Sequence, residues 1–355
     1  MKSSSKIYLR PFSFVGKREG RILKLKKEAL SIAGGSRFFK DIEILKRNSK
    51  SSEFFSVKEF LKLSNKNKLY KQSLKKITEK RSFFTNKSFF NKKDYSVFGI
   101  LNVTPDSFSD GGDFISEDDA FIKSKTMFND GADCIDIGGE STRPGATLIK
   151  DSDEVLRVLP IIQKINNEGI NISLDTRNSS TMKLGILSGV SIINDVSALN
   201  NDKESINILK DYDIPIILMH MPGTPKNMMG KKYKNIILDV YDFLEERINY
   251  CIKNGVKSKN IIIDPGIGFG KDSKQNLKIL KNISIYHSLG CPIMLGVSRK
   301  RFISTIISET DPKKRFPGSI AAAINSFTQG VQIFRVHDVK ETKQALEIFS
   351  RLEKE

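Results

Sequence analysis

The chain has 355 residues, enough for one large domain and a smaller one around a full hydrophobic core. Its three cysteines form no C-x-x-C pair, which argues against a disulfide framework or a zinc site and favours a reducing compartment, so we expect a cytoplasmic protein. No apolar run approaches the length of a membrane-spanning helix, and no charged and then apolar leader is seen. Neither a membrane span nor a secretory signal is therefore expected.

The formal net charge of +18 lies in the first quarter of the chain. Residues 1–94 hold 26 Lys and Arg against 8 Asp and Glu, whereas residues 95–355 hold 33 of each kind. Charge therefore predicts nothing about the partners of the larger part. Runs of lysine are more often solvated surfaces than binding sites, so nucleic-acid binding is not expected, and only this basic segment could support it.

Residues 1–94 are predicted to form a basic N-terminal extension of the larger domain. Residues 7–14 and 21–25 have the composition of strands, and Ser56 and Glu59 form a capping-box pattern at the start of a helix. These features fit either a small α/β module or a partly ordered arm. No catalytic motif occurs in the extension, and its function is left open.

Residues 95–355 are predicted to form one domain in which short apolar strands alternate with segments of helical length. The predicted strands cover residues 97–103, 134–138, 172–176, 191–196, 215–220, 261–264, 292–297 and 332–336. The helix over residues 152–168 is predicted to bury Val155, Leu156, Leu159, Ile162 and Ile165. Continuous apolar strands separated by helices indicate a parallel sheet covered on its outer face, and eight such units in about 260 residues are typical of a (β/α)8 TIM barrel. An open doubly wound sheet is less favoured, because no nucleotide-binding fingerprint follows the first strand.

A polar side chain follows every predicted strand of this domain. In chain order they are Asn102, Asp136, Asp175, Asn194, His220, Asp264, Ser298 with Lys300, and Arg335 with His337. The carboxyl ends of barrel strands meet at one mouth, so we expect these side chains to form a single site. One polar residue after a strand is more often a helix cap or a turn former, but capping alone hardly accounts for eight of eight. His220 is the exception, because a structural histidine is the simpler interpretation.

Four of these residues suit a flat, nitrogen-rich heterocycle. They are Asp175, Asn194, Asp264 and Lys300. Their acceptors and donors match amide-like ring edges, and a buried carboxylate can accept a pair of hydrogen bonds from an amino-pyrimidine edge. Arg335 and His337 bring positive or switchable charge to the same mouth, which favours an anionic group on the ligand.

Two glycine-rich loops add to the predicted mouth. Residues 138–145 combine glycines, hydroxyl groups and Arg143 ahead of a helix, which is an anion-binding arrangement. Residues 264–270 contain three glycines that let the backbone approach a ligand, with Phe269 as a candidate stacking face. Either loop alone could be an ordinary turn between a strand and a helix. No Ser-His-Asp, Cys-His or P-loop pattern occurs, so the predicted chemistry is the orientation of two substrates with electrostatic handling of an anionic leaving group.

Residues 97–353 resemble the dihydropteroate synthases, which are pterin-binding enzymes of the folate pathway. The resemblance rests on motifs in the family's order and spacing at Asn102–Gly112, Asp136–Gly145, Leu174–Thr176, Ile193–Asp195, Leu218–His220, Asp264–Lys271, Ser298–Lys300 and Arg335–Asp338. It implies a transferase that condenses 6-hydroxymethyl-7,8-dihydropterin diphosphate with 4-aminobenzoate, giving 7,8-dihydropteroate and diphosphate with Mg²⁺ as cofactor. It also implies a homodimer and a target of sulfonamides. In the family's reaction diphosphate leaves first, and the aniline nitrogen attacks a methylene cation that the pterin stabilises.

The resemblance also implies a role for each matching residue. The pterin would be held by Asp175, Asn194, Met219, Asp264 and Lys300. The diphosphate would be bound by Asn102, Thr142, Arg335 and His337, with Asn102 as the Mg²⁺ ligand. The 4-aminobenzoate would be contacted by Phe108, Pro144, Phe269 and Arg301. The catalytic residues would be Asp110, Thr142, Arg143 and Lys300.

One position departs from the family. Arg301 follows Lys300 where some members carry a small hydroxyl residue near the aminobenzoate carboxylate, so Arg301 either serves that carboxylate in another way or points away. Two alternative functions are a pterin-dependent methyltransferase of the same barrel superfamily and a non-catalytic pterin-binding paralogue. The methyltransferase should lack the Ser-Phe-Ser-Asp-Gly-Gly and Ser-Thr-Arg-Pro-Gly segments. The paralogue should have lost Asn102, Arg143 or Lys300, and all three are present.

Overall fold

The structure is a computed structural model that describes residues 6–47, 49, 51–81, 94–104, 116–141, 145–146 and 149–353. These residues form an antiparallel sheet with three helices before residue 82 and an eight-stranded parallel sheet with its own helices after residue 93. Within these ranges, no helix combines the length and the apolar character that crossing a bilayer requires.

The N-terminal unit is built on a four-stranded antiparallel sheet. Its strands are β1 (Ile7–Val15), β2 (Leu30–Ser31), β3 (Phe38–Lys46) and β4 (Glu53–Ser56), and its helices are α1 (Lys17–Leu25), α2 (Val57–Lys66) and α3 (Lys68–Thr78). β3 pairs with each of the other three strands. The capping-box pattern forms as expected at the start of α2, because the Ser56 hydroxyl accepts from the Glu59 N–H and the Glu59 carboxylate accepts from the Ser56 N–H.

The prediction of a strand at residues 21–25 was wrong, because these residues lie in α1. Ile22 and Leu25 are exposed there, so the short apolar run does not reflect burial against a sheet. A run of this length cannot be assigned to a strand or a helix from its pattern alone. Gly20 lets α1 lie against the sheet, since a methyl group at this position would be 2.3 Å from the Phe38 ring.

The larger unit alternates strands and helices, which confirms the predicted (β/α)8 barrel. Its strands are β5 (Ser96–Asn102), β6 (Cys134–Gly138), β7 (Ile172–Asp175), β8 (Ile192–Asp195), β9 (Ile216–Met219), β10 (Ile261–Asp264), β11 (Met294–Leu295) and β12 (Ile333–Val336). Its α-helices are α4 (Glu117–Asn129), α5 (Asp151–Asn167), α6 (Ser179–Leu187), α7 (Ser205–Tyr212), α8 (Ile236–Lys253), α9 (Ser273–Lys281), α10 (Arg301–Ile307), α11 (Phe316–Thr328) and α12 (Val339–Leu352). Short 3₁₀ helices cover Ser258–Asn260, Ile283–Leu289 and Pro312–Arg315.

The parallel sheet closes on itself. The strands lie in the order β10, β9, β8, β7, β6, β5, β12, β11, and an isolated bridge between Ile263 and Ile293 joins the two ends. β11 has two residues where the sequence predicted 292–297. Pro292 has no N–H to contribute to the ladder, so only its carbonyl pairs, accepting from the Ile263 N–H at 3.0 Å.

The period of two along each strand places core residues and site residues on the same side of the sheet. A separate cluster of buried side chains holds one residue from each of seven strands: Phe98, Cys134, Ile192, Ile217, Ile262, Met294 and Ile333. Asp136, Asn194, Asp264 and Arg335 each lie two residues after a member of this cluster. They therefore point inward one layer nearer to the carboxyl ends, and the apolar layer forms the floor beneath them.

The buried face predicted for α5 was wrong in part. Leu156 is 73% exposed, and Val158 and Ile161 are buried although they were not predicted to be. The cause is Glu154, whose carboxylate is drawn inward as the acceptor of three hydrogen bonds. The donors are Thr176, Asn178 and Thr181.

The N-terminal unit packs on the end of the barrel opposite the carboxyl ends of its strands. Ile32 lies against the turn that precedes β12, where a methyl group on Gly330 would be 2.8 Å from Ile32 Cγ2. The buried Arg81 donates from Nη2 to the His287 carbonyl at 3.0 Å, in the 3₁₀ helix that precedes β11. Both contacts are to residues that come before a strand, so they lie at the end of the barrel away from the carboxyl ends of its strands.

Ion pairs continue this contact along the side of the barrel. Lys6 and Arg47 both pair with Asp242 in α8. Arg37 pairs with Glu353, which follows α12. The cationic extension thus meets acidic side chains of the barrel, which accounts for part of its excess of basic residues.

Candidate active site

One row of neighbouring strand residues defines the mouth of the barrel. Asn102, Gly138, Asp175 and Asn194 are register partners on β5, β6, β7 and β8. Each is the last or next-to-last residue of its strand, so the row lies at the carboxyl end of the sheet. Gly138 opens space in the row, because a methyl group there would lie 3.4 Å from Asp175 Cβ and 3.6 Å from Asn102 Oδ1.

An ion-pair cluster lies beside this row. Arg335 on β12 donates from Nε to Asp136 at 2.5 Å and from Nη2 to Asp175 at 2.8 Å. The Asp136 side chain is fully buried, and that of Asp175 is nearly so. Two carboxylates therefore share one guanidinium that reaches across the mouth from β12 to β6 and β7.

Asn194 presents an unpaired oxygen to the same space. Its Nδ2 donates to both oxygens of Asp136, at 3.3 and 3.2 Å. Its Oδ1 is buried and makes no hydrogen bond within the described part of the chain. A buried acceptor without a partner is costly, so Oδ1 is suited to accept an N–H from a ligand.

The pKa of Asp175 lies near neutral pH. Burial raises the pKa of Asp175 to about 7; the Arg335 guanidinium opposes this rise, whereas the carboxylates of Asp136, Glu154 and Asp195 add to it. A carboxyl group whose pKa is shifted this far, at the mouth of a barrel, is typical of a functional site.

Lys300 and Asp264 form another side of the mouth. Lys300 Nζ donates to the Ile267 carbonyl and lies 4.8 Å from the centre of the Phe269 ring. Burial lowers the pKa of Lys300 to about 8, with Asp264 acting against the shift. Burial also raises the pKa of Asp264, whose Oδ1 accepts from the Gly266 N–H at 2.7 Å. No described residue donates to its Oδ2, which leaves that oxygen for a ligand.

Lys271 holds the loop between β10 and α9 in place. Its buried Nζ donates to the carbonyls of Gly266 at 2.7 Å and Phe269 at 3.0 Å, and lies 2.9 Å from His220 Nδ1. Burial lowers the pKa of Lys271 and of His220 well below their usual values. His220 therefore supports the loop from behind, as a structural histidine would.

An apolar wall borders this loop. Met219 ends β9 as the register partner of Asp264, and it is buried in a cluster with Val196, Met221 and Met228. Phe269 packs against the cluster and is itself partly exposed. A planar ring entering the mouth would find this wall beside the polar groups.

His337 lies at the carboxyl end of β12, two residues after Arg335. Its Nδ1 is 3.0 Å from Ser298 Oγ, and its backbone N–H donates to the same oxygen at 3.1 Å. The Arg299 guanidinium pairs with Asp338 next to it. These contacts fix the imidazole at the rim of the mouth.

Asn102 Oδ1 is a candidate protein ligand for a Mg²⁺ ion at this mouth. The Asn102 side chain is half-buried and makes no hydrogen bond with the described residues. Nor do those residues contain a group of three or more His, Cys, Asp or Glu arranged to hold a metal. Mg²⁺ is commonly bound by few protein oxygens together with substrate phosphates. Asn102 therefore fits a metal that enters with a diphosphate, and the arrangement does not fit an all-protein site.

The structure brings together most of the predicted site residues that it describes. Those at the mouth are Asn102, Asp175, Asn194, Met219, Asp264, Phe269, Lys300, Arg335 and His337. Arg301 is exposed at the first residue of α10, next to Lys300 in sequence. The predicted residues Phe108, Asp110, Thr142, Arg143 and Pro144 lie outside the described residues. Sequence reasoning placed Asp136 among the polar side chains expected at the mouth but gave it no specific role, and it gave none to Lys271.

A family model described as pterin binding enzyme matches residues 98–337. Among curated relatives, the chain is 41% identical over 251 residues to the dihydropteroate synthase of Bacillus subtilis, covering 70% of this chain and 86% of the relative. It is 40% identical over 260 residues to that of Neisseria meningitidis serogroup C, covering 72% and 92%. Residues 1–97 fall outside the family match.

Solved structures show the same likeness. The dihydropteroate synthase of Xanthomonas albilineans with 4-aminobenzoic acid superposes with a TM-score of 0.69 at 37% identity, over 73% of this chain and 93% of that one. The enzyme from the same organism in complex with 7,8-dihydropteroate gives 0.67 at 34% identity, over 73% and 94%. The Yersinia pestis enzyme with a sulfonamide drug gives 0.70 at 36% identity, over 73% and 94%.

Proposed function

The chain belongs to the family of pterin-binding enzymes, and we propose that the polar cluster at its barrel mouth holds the pterin ring while diphosphate leaves. Its activity is that of a dihydropteroate synthase. It condenses 6-hydroxymethyl-7,8-dihydropterin diphosphate with 4-aminobenzoate to give 7,8-dihydropteroate and diphosphate. The observation that carries the assignment of the site is the buried Asn194 Oδ1, which has no hydrogen-bond partner among the described residues and lies on a strand between those of Asp175 and Asp264.

The pterin ring is recognised by its donor and acceptor edges. The amino-pyrimidine edge donates N–H groups, and Asp264 Oδ2, Asp175 Oδ1 and Asn194 Oδ1, which accept from no described residue, are proposed to accept them. Lys300 Nζ, held by the Ile267 carbonyl, donates to the ring's acceptor edge. Met219 supplies an apolar surface against the ring face.

The charge of the mouth suits the chemistry that follows. Three carboxylates and two cations converge there, so the mouth favours positive charge on the bound ring. They are Asp136, Asp175, Asp264, Lys300 and Arg335. The carbon–oxygen bond breaks with its electron pair going to diphosphate, and the methylene carbon becomes cationic. The aniline nitrogen of 4-aminobenzoate then bonds to that carbon and releases a proton to solvent.

Arg335 and His337 are placed to bind the leaving diphosphate. Arg335 Nε and Nη2 are held by carboxylates, whereas no described residue accepts from its Nη1, and His337 follows two residues later. A bound Mg²⁺ would neutralise charge on the diphosphate oxygens, with Asn102 Oδ1 as its protein ligand. Ring binding and diphosphate binding are thus adjacent, because Arg335 also contacts Asp175 of the ring site.

The second substrate is assigned to the rim. Phe269 lies between the apolar wall and Lys300, where it can support the aminobenzoate ring. Arg301 is exposed and follows Lys300 in the sequence, and we assign the substrate carboxylate to this cation by resemblance. By resemblance, Phe108 and Pro144 complete this pocket, and Asp110, Thr142 and Arg143 close over the leaving group.

We further propose that the enzyme acts in the cytoplasm as a homodimer. Its three cysteines are buried and form no disulfide bond, which suits a reducing compartment. The homodimer is proposed from the family alone. Residues 1–94 are proposed as a structural extension of the barrel, since their basic side chains already pair with acidic residues of the barrel.

A two-substrate assay tests the function. The purified chain with Mg²⁺, the pterin diphosphate and 4-aminobenzoate should form dihydropteroate and diphosphate in equal amounts. The same preparation should transfer no methyl group from 5-methyltetrahydrofolate to a thiol or a cobalamin acceptor. Methyl transfer without condensation would replace the synthase with the methyltransferase. Pterin binding without either reaction would leave a binding protein.

A further inference from the structure

Asp136 is the most deeply buried charge of the site, and it contacts the ligand-facing residues from behind. It lies in the middle of β6, with 0% of its surface exposed. Both of its oxygens accept from Asn194 Nδ2, and one also accepts from Arg335 Nε. The floor of the barrel lies directly below it, since Cys134 on the same strand belongs to the apolar layer.

The first consequence concerns the orientation of the Asn194 amide. The oxygen and nitrogen of an amide side chain can exchange places by a half-turn. With an ionised carboxylate on one side, only the nitrogen can face it, because the amide oxygen would be repelled and its buried N–H groups would lose their acceptor. Asp136 therefore directs Asn194 Oδ1 into the mouth, where it has no partner among the described residues.

The second consequence concerns Arg335. Its guanidinium is divided between Asp136 and Asp175. Without Asp136, both held nitrogens would be free to turn to Asp175 and occupy the second oxygen of that carboxylate. Asp136 thus keeps Asp175 available to a ligand and keeps the guanidinium in place.

Building on the proposed function, we infer that Asp136 is a positioning residue that fixes which edge of the pterin the site accepts. It does so by setting the amide orientation of Asn194 and by holding Arg335 partly away from Asp175. It does not touch the substrate. Its effect should therefore appear in pterin recognition and leave the recognition of 4-aminobenzoate alone.

The test compares Asp136→Asn with a matched control, Asp133→Asn, at the residue just before the same strand. Asp133 precedes β6 at the opposite end of the barrel, where it accepts from the Val97 N–H at 2.9 Å, and its side chain is 10% exposed. In Asp136→Asn the Asn194 amide can turn either way. We expect kcat/KM for the pterin diphosphate to fall roughly tenfold or more, as expected for the loss of a charge-assisted contact, while the KM for 4-aminobenzoate stays within about twofold. Asp133→Asn should change neither.

A second readout separates positioning from general damage to the core. The Asp136 carboxylate raises the pKa of Asp175, and Arg335 lowers it. Removing the Asp136 charge, with Arg335 turning to Asp175, lowers that pKa on both counts. Glu154 on α5 and Asp195 on β8 also face Asp175 and are unchanged in the variant. The acid limb of kcat/KM should therefore move to lower pH in Asp136→Asn, which simple destabilisation would not cause.

Asp136→Glu keeps the proposal testable if the asparagine variant does not fold. The longer side chain keeps the charge but displaces it, so pterin kcat/KM should fall while the acid limb stays in place. Calorimetric binding of the pterin gives the same comparison without turnover. If the parent chain and Asp133→Asn bind no pterin, the proposed function fails. If they bind it and the Asp136 variants bind it equally well, or if both substrates are weakened alike, the inference about Asp136 is overturned.

Discussion

Single residues in this barrel mouth have properties that their neighbours set. Asp175 and Lys300 are an acid and a base whose pKa values burial moves towards each other, to about 7 and about 8. The raised pKa leaves Asp175 protonated below about pH 7, and the lowered pKa leaves Lys300 neutral above about pH 8. Both groups are therefore mostly charged at the same time only in a narrow range, between about pH 7 and about pH 8.

This pair predicts a bell-shaped pH dependence of kcat/KM for the pterin diphosphate. Activity should fall below about pH 7, because protonated Asp175 loses an acceptor, and above about pH 8, because Lys300 loses its positive charge. The Asp175→Asn variant should lose the acid limb and keep the alkaline one. Since the substrate diphosphate titrates in both proteins, the difference between the two profiles belongs to Asp175. Identical profiles would remove Asp175 from pterin recognition.

The limit of sequence reasoning is also seen at single residues. The positions of Asp175, Asn194, Asp264 and Lys300 followed from the rule that strand ends meet at one mouth, and the structure brings them together there. The unpaired oxygen of Asn194 and the division of Arg335 between two carboxylates depend on distances between strands that are far apart in sequence. No spacing along the chain carries that information.

Among the elements, the loop between β10 and α9 tolerates little change in its backbone. Gly266 has a φ of 68°, in the left-handed region, and a methyl group there would lie 2.0 Å from the His220 carbonyl oxygen. Lys271 also holds this loop in place, because its buried Nζ donates to the Gly266 carbonyl. The loop carries the Ile267 carbonyl that positions Lys300, so its backbone path matters to the site.

Gly266→Ala should therefore lose activity through the position of Lys300. The displaced carbonyl releases the ammonium group, and we expect pterin KM to rise together with a loss of stability. Gly169 is a matched control, with a φ of 70° and open space around it. Gly169→Ala should cost only about 1 kcal/mol of unfolding free energy, from backbone strain, and leave both KM values unchanged. Equal pterin KM values for the two alanine variants, measured by initial rates, would show that the loop does not position Lys300.

The bounds of some strands were predicted correctly, whereas one short segment and one helix face were not, and the difference has a physical reason. Strands β6 and β10 have the predicted bounds, because burial on both faces gives them mostly apolar sequences that end at a polar residue or a glycine. The segment 21–25 was assigned to a strand and forms a helix, since five residues do not distinguish a period of two from one of 3.6. The buried face of α5 was misplaced because hydrogen bonds from other elements to Glu154, invisible in the sequence, set its rotation.

At the scale of the whole molecule, the N-terminal unit and the barrel share one boundary. Ile32 belongs to the core of the N-terminal unit and also contacts the turn before β12. Arg81 crosses the boundary as a buried guanidinium whose partners include the His287 carbonyl. Burial lowers the pKa of Arg81 to about 10. Separation of the units would expose the guanidinium and remove its desolvation cost, but it would also break the contacts between the units. We propose that the two units unfold together.

Ile32→Ala tests this coupling. Removing a buried isoleucine should lower the free energy of unfolding by about 2–4 kcal/mol, and the protein should still unfold in a single transition. Leu25, which is 87% exposed on the same unit, is the control, and Leu25→Ala should change the free energy by less than about 0.5 kcal/mol. Calorimetry that resolved a separate barrel transition, unmoved by Ile32→Ala, would show two independent units.

The central claim is that the carboxylate and amide cluster at the barrel mouth binds the pterin ring. It is tested most directly by titrating 6-hydroxymethyl-7,8-dihydropterin, which lacks the diphosphate, into the chain in a calorimeter at pH 8, where Asp175 is ionised. The account predicts one binding site, with affinity weakened roughly 10- to 100-fold in Asp175→Asn because a charged acceptor of ring N–H groups is replaced by an amide. Equal affinity in the parent chain and the variant, or no binding to the parent chain, would contradict it.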